Sequence, residues 1–136
     1  TINYKTFIKD ISKKKLNTAQ SISHAACSVA TKQGIKKIIT MTHSGSTARM
    51  VSRYRPGAEI IAMTPFKEIC RQLGIIWGVR PLLVRDYNTS DDIPLIANEI
   101  LMLNKIIKKS EKYVITGGVP VGVPGTTNYL SVLKGV

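Results

Sequence analysis

Helical spacings of apolar residues alternate with short β-branched runs along most of the chain, and this alternation restricts the fold more than any single residue does. Over 16–32, Ile22, Ala25, Ala26, Val29 and Ala30 recur at intervals of three and four. Asn17 or Thr18 can cap the start and Gly34 the end, so the spacing predicts an amphipathic helix that buries this apolar set. The run 35–42 carries Ile35, Ile38, Ile39, Thr40 and Met41. It is too short for a helix and apolar enough for a strand buried on both faces. The pattern continues with helices over 48–54, 67–75 and 91–103 and strands over 59–63, 81–84 and 113–116. Strands joined by crossover helices lie parallel. The connection 117–128 is too short and too rich in Gly and Pro for a crossover helix, so a last strand over 129–133 is expected to run antiparallel to the one before it. The expected fold is an α/β three-layer sandwich: a five-stranded, mostly parallel mixed sheet with the last strand antiparallel and helices on both faces.

A chain of 136 residues, 43% of them hydrophobic, is sized for one core. Residues 17–136 read as that domain and 1–16 as a linker or N-terminal docking arm. No apolar run approaches the roughly 20 residues that span a bilayer, and the start of the chain holds Lys5, Lys9 and Lys13 to Lys15 where a signal peptide needs apolar residues. A cytoplasmic location and no membrane partner are expected. Cys27 and Cys70 lack metal-ligand spacing and read as buried free thiols in helices. Twenty Lys and Arg against eight Asp and Glu give a charge of +12, which attracts phosphate-bearing partners. The cations are spread over many segments without the interleaved aromatics of single-strand binders, which argues against nucleic acid as the partner.

In parallel sheets ligands collect at the carboxyl ends of the strands. After the first strand comes Thr42-His43-Ser44-Gly45-Ser46-Thr47, leading into a helix. Its hydroxyls, its glycine and the free N–H groups of the helix start together make a candidate phosphate cradle. Ser44 or Ser46 would also serve as an ordinary helix cap, which is compatible with that role. The second candidate loop, Gly117-Gly118-Val119-Pro120-Val121-Gly122-Val123-Pro124-Gly125-Thr126-Thr127-Asn128, follows the fourth strand. It is not a nucleotide-binding P-loop, because Val123 stands where that motif needs Lys.

Raw material for catalysis is poor. His24 lies on an apolar helix and reads as a core or interface residue, while His43 sits in the cradle, where it supplies charge to an anion or points to solvent. Asp91 and Asp92 are adjacent at a helix start and read as caps. Trp77 reads as a packed residue leading into a strand. No nucleophile and base share a spacing, and no carboxylate cluster suits magnesium.

Thr42-His43-Ser44-Gly45-Ser46-Thr47-Ala48-Arg49, Ser52-Arg53-Tyr54-Arg55-Pro56, Ile60-Ile61-Ala62-Met63-Thr64-Pro65, Gly118-Val119-Pro120-Val121-Gly122 and Gly125-Thr126-Thr127-Asn128 occur in this order, and the chain from 18 to 132 resembles the C-terminal domain of pyruvate kinase. The resemblance implies a regulatory module of a homotetrameric glycolytic enzyme. That enzyme transfers a phosphoryl group from phosphoenolpyruvate to ADP with magnesium and potassium held in a separate catalytic barrel domain. No cofactor and no catalytic residue are expected here. Thr42, His43, Ser44, Gly45, Ser46 and Thr47 match the loop that grips an effector phosphate. Gly118, Val119, Pro120, Val121, Gly122, Gly125, Thr126 and Thr127 match the loop that closes over it. Relatives that bind fructose 1,6-bisphosphate often carry Lys and Arg where this chain has His43 and Ser46, and an Arg in the helix near Ile96. A monophosphate such as AMP or ribose 5-phosphate is therefore the better match. The alternatives are a free-standing module for phosphorylated metabolites and, from charge alone, a basic nucleic-acid-binding domain.

Overall fold

The computed structural model describes residues 15–118 and 127–136. Residues 1–14 of the arm expected over 1–16, and the loop residues Val119, Pro120, Val121, Gly122, Gly125 and Thr126, lie outside the described residues. Helices α1 (Thr18–Gln33), α2 (Ser46–Arg53), α3 (Lys67–Leu73) and α4 (Asp92–Leu103) alternate with strands β1 (Lys37–Met41), β2 (Glu59–Thr64), β3 (Val79–Leu83), β4 (Lys112–Gly118) and β5 (Thr127–Lys134). The sheet order is β3-β2-β1-β4-β5. The first four strands are parallel and β5 is antiparallel to β4, as the loop chemistry predicts.

Burial follows position in the sheet. The central strands β1, β2 and β4 are almost wholly buried, because both faces are covered, whereas the edge strands β3 and β5 are only partly so. Pro81 lies on edge strand β3, where its missing N–H costs little. Ile39, Met41, Ile61, Met63, Tyr113 and Ile115 pack against Ile93, Ile96, Ala97 and Leu101 of α4 on one face. On the other, Ile38, Ile60 and Val114 meet α1 and α2, and Ala62 meets Ala48 and Leu73 of α2 and α3. The alternation of side chains along each strand thus builds two cores from one sheet.

Helix α1 opens on Asn17, whose side chain accepts from the Gln20 N–H at 2.8 Å while the Gln20 side chain accepts from the Asn17 N–H at 3.0 Å. It stops at Gly34, which takes a left-handed φ of 66°. Its buried face is rotated from the expected one. Ala19, Ser23, Ala26, Cys27 and Ala30 are buried, and Ile22, Ala25 and Val29 are only half-buried. Small side chains let the helix lie close to the sheet, so size outweighs hydropathy in choosing the face.

Other expectations also change. Asp91 makes no side-chain cap bond, so α4 opens on backbone contacts from Asp92 N–H to Thr89 O and Ile93 N–H to Ser90 O. Cys70 is half-buried rather than buried. Trp77 is 49% exposed, not packed inside, and the Arg55 guanidinium lies 4.7 Å above its ring.

Candidate functional site

From β1 the chain leaves by α2 to β2 on one side, while its other neighbour β4 is reached only after α4 has crossed the opposite face. The carboxyl ends of β1 and β4 therefore diverge at a switch point, where an open parallel sheet forms a crevice. The loop 42–47 leaves β1 at that point, and Gly117 and Gly118 end β4 beside it, with Met41 paired to Gly117. A Cβ on Gly117 would lie 2.9 Å from the Met41 carbonyl oxygen and 3.1 Å from the Tyr129 ring, so only glycine fits there.

Within the loop, the Thr42 side chain is buried and accepts the Gly45 N–H at 2.7 Å. Ser44 Oγ accepts the Ser46 N–H at 3.3 Å. Gly45 holds a left-handed φ of 89°, and a Cβ on it would meet Leu73 Cδ2 at 3.2 Å. This turn delivers the chain into α2, whose first turn contains no acidic residue. A helix leaves its first N–H groups without intrahelical acceptors. Those of Thr47 and Ala48 receive none from their neighbours among the described residues. Ser44 and Ser46 are half-buried and keep hydroxyl capacity to donate. Thr47 is buried and shares a 2.7 Å hydroxyl contact with Thr127, the first residue of β5, which joins the cradle to the far end of the second loop.

His43 is engaged on the opposite flank. Its ring packs 4.7 Å from Tyr87 and 5.4 Å from Phe66, and its Nε2 lies 3.5 Å from Asp86 Oδ1. It anchors the cradle to the segments after β2 and β3 rather than standing free in it. Burial, then the Asp86 carboxylate, raises the Tyr87 phenol well above its ordinary range, so it stays neutral. The His24 ring packs against Tyr54, with centroids 5.6 Å apart and the planes tilted by 34°.

The sequence named Thr42, Thr47 and Thr127 as site residues but not Thr64 and Thr116, which complete a set of buried hydroxyls at this edge of the sheet. Thr42, Thr47, Thr64, Thr116 and Thr127 are all buried, and Thr116 Oγ1 donates to the Tyr129 carbonyl at 2.8 Å. The available signal was a Thr within two residues of the end of three parallel strands, Thr42 after β1, Thr64 in β2 and Thr116 in β4. Among the described residues no three His, Cys, Asp or Glu gather to hold a metal ion.

The family model described as pyruvate kinase, alpha/beta domain, matches residues 20–133. The chain belongs to the pyruvate kinase family. It is the C-terminal domain of a pyruvate kinase. It is 37% identical over 132 residues to the pyruvate kinase of Clostridium acetobutylicum, covering 96% of this chain and 28% of the relative. To that of Lactobacillus delbrueckii subsp. bulgaricus it is 38% identical over 114 residues, covering 84% of this chain and 19% of the relative. The fold superposes on Cryptosporidium parvum pyruvate kinase in complex with ADP with a TM-score of 0.83 and 28% identity, covering 99% of this chain and 28% of that one. The pyruvate kinase domain described here thus spans less than a third of the length of these relatives.

Proposed function

We propose that this domain is the regulatory part of a pyruvate kinase that converts phosphoenolpyruvate and ADP to pyruvate and ATP in its catalytic barrel. In this reading magnesium and potassium serve the barrel, the domain contributes to a homo-oligomer, and it holds a phosphorylated effector without catalysing a step itself. The observation that carries the reading is the cradle at the switch point, with a glycine turn, two half-buried serines and two helix N–H groups that have no acceptor among the described residues. The Thr47 to Thr127 contact supports a role for the second loop as its cover, since ordering one loop end orders the other.

A single phosphate suits this cradle better than two. His43 is engaged by Asp86, Phe66 and Tyr87, and Ile96, in the helix where bisphosphate-binding relatives often carry an Arg, is a buried apolar residue. AMP or ribose 5-phosphate is favoured over fructose 1,6-bisphosphate. Thermal shift with each of the three tests this. Ser44→Ala/Ser46→Ala is expected to abolish stabilisation by AMP or ribose 5-phosphate while leaving the unliganded midpoint nearly unchanged. Equal stabilisation of parent and variant would show that the phosphate binds elsewhere.

A further inference from the structure

The amino-terminal edge of the sheet, opposite the cradle, carries a feature that folding alone does not favour. Lys112 of β4 and Lys134 of β5 are directly paired across the antiparallel ladder, and both are exposed. Like charges facing one another across strands are destabilising. Lys36 stands two residues before Ile38, and Lys112 two residues before Val114, which is the partner of Ile38. The register therefore sets Lys36, Lys112 and Lys134 in one row across three neighbouring strands, about 4.8 Å apart per strand. A groove of about 580 Å³ is lined by Lys36 and Lys112 of this row and by Lys37, Lys108, Lys109 and Glu111, with Lys134 next in the row beside Lys112.

One carboxylate, Glu111, stands among the lysines of the groove. Glu111 Oε1 is occupied by the Lys108 N–H at 2.9 Å, and Glu59 lies 3.4 Å from Lys37 and 3.9 Å from Arg80. Lys36, Lys108, Lys109, Lys112 and Lys134 have no ion-pair partner among the described residues. The backbone that presents them is fixed. Ser110 N–H donates to the Gly135 carbonyl at 2.8 Å, Gly135 N–H to that of Glu111 at 3.0 Å, and Glu111 N–H to that of Lys108 at 3.0 Å. A Cβ on Gly135 would come within 2.5 Å of the Lys108 carbonyl oxygen, so the tail of β5 presses on the Lys108-Lys109 turn. Four unpaired cations, Lys36, Lys108, Lys109 and Lys112, are thus held on rigid chain around a groove of ligand size, and Lys134 extends their row.

We infer that this groove binds a small oligophosphate, a chain of three or more linked phosphates whose oxygens bridge the lysine row, at a site separate from the 42–47 cradle. The ligand relieves the repulsion that the register imposes, and its negative charges are spaced along a line as the ammonium groups are.

The test titrates inorganic tripolyphosphate into the full-length enzyme carrying this domain, by calorimetry at two salt concentrations. The parent and Ser44→Ala/Ser46→Ala are expected to bind alike. Lys36→Ala/Lys112→Ala/Lys134→Ala is expected to bind about tenfold more weakly, with a shallower salt dependence. The same variant without ligand is expected to melt higher than the parent, because the like-charge row is gone. A charge control, Lys67→Ala/Arg71→Ala/Arg85→Ala, lowers the net charge equally and is expected to bind as the parent does. If the lysine-row variant binds as tightly as the parent, or if the control loses as much as the row variant, no such site exists. Loss of tripolyphosphate binding in the serine variant would instead assign the ligand to the cradle and overturn the inference.

Discussion

Thr47 and Thr127, eighty residues apart in the chain, meet hydroxyl to hydroxyl at 2.7 Å in a buried contact that ties the first turn of α2 to the first residue of β5. A change of either partner to Val leaves the other hydroxyl buried and unpaired. Each single change should cost about 1–2 kcal/mol. The double change Thr47→Val/Thr127→Val removes both polar groups and should cost less than the sum of the singles, as contacting residues couple. Urea unfolding of the four proteins measures the coupling, and strict additivity would mean the contact contributes nothing.

Two glycines with left-handed φ separate backbone strain from crowding. Gly34 and Gly45 have φ of 66° and 89°, but a Cβ at Gly34 meets nothing within 4 Å, while one at Gly45 meets Leu73 Cδ2 at 3.2 Å. Gly34→Ala should cost about 1 kcal/mol from conformation alone. Gly45→Ala should cost more and should also weaken phosphate-ligand stabilisation, because the turn aims the α2 start. The order of the two denaturation midpoints decides the matter.

His24 should make stability depend on pH. Burial first, and the nearby Lys32 charge second, hold its folded pKa below the ordinary 6.5. The unfolded chain then binds the proton before the folded one does. This contribution to stability is fully present above the unfolded value and is lost as pH falls below 6.5 toward the folded value. His24→Gln should flatten the difference in urea midpoint between pH 7 and pH 5 relative to the parent. An unchanged difference would assign that pH dependence to other groups.

The two thiols should react in sequence. Cys27 is fully buried, its thiol is pushed up to about 12, and its Sγ lies 3.9 Å from the Val51 carbonyl oxygen. Cys70 is half-buried, with its thiol raised by burial as well. A colorimetric thiol titration should show Cys70 reacting slowly in the native protein and Cys27 only on unfolding. Cys70→Ser should remove the native phase alone.

The layered fold was legible in sequence because period and punctuation agree. Gly34 after a helical pattern, β-branched runs too short for helices, and a Gly and Pro-rich connection each state a local constraint that tertiary packing did not need to override. The boundaries moved by a few residues, as at β3, which starts at Val79 rather than Pro81 because pairing with Ile60 extends it. The buried face of α1 was misread for a different reason. Periodicity ranks residues by hydropathy, but close approach of helix to sheet selects small side chains, and Ser23 and Cys27 fill that role where Ile22 and Val29 cannot.

Trp77 and His43 show the same limit at the surface and at the site. Each was assigned from its residue type, and each owes its environment to loops distant in sequence, Arg55 for the first and Phe66, Asp86 and Tyr87 for the second.

The sequence by itself determined the alternation of elements, the antiparallel last strand and the glycine turn after β1, since these rest on contacts and dihedral preferences within a few residues. Only the tertiary structure decided which strands are neighbours, that Thr127 closes on Thr47, and that Lys36, Lys112 and Lys134 fall in one row. Those relations depend on register between strands separated by many tens of residues. Register is chosen by how the buried faces of β1, β4 and β5 fit together, not by any local pattern.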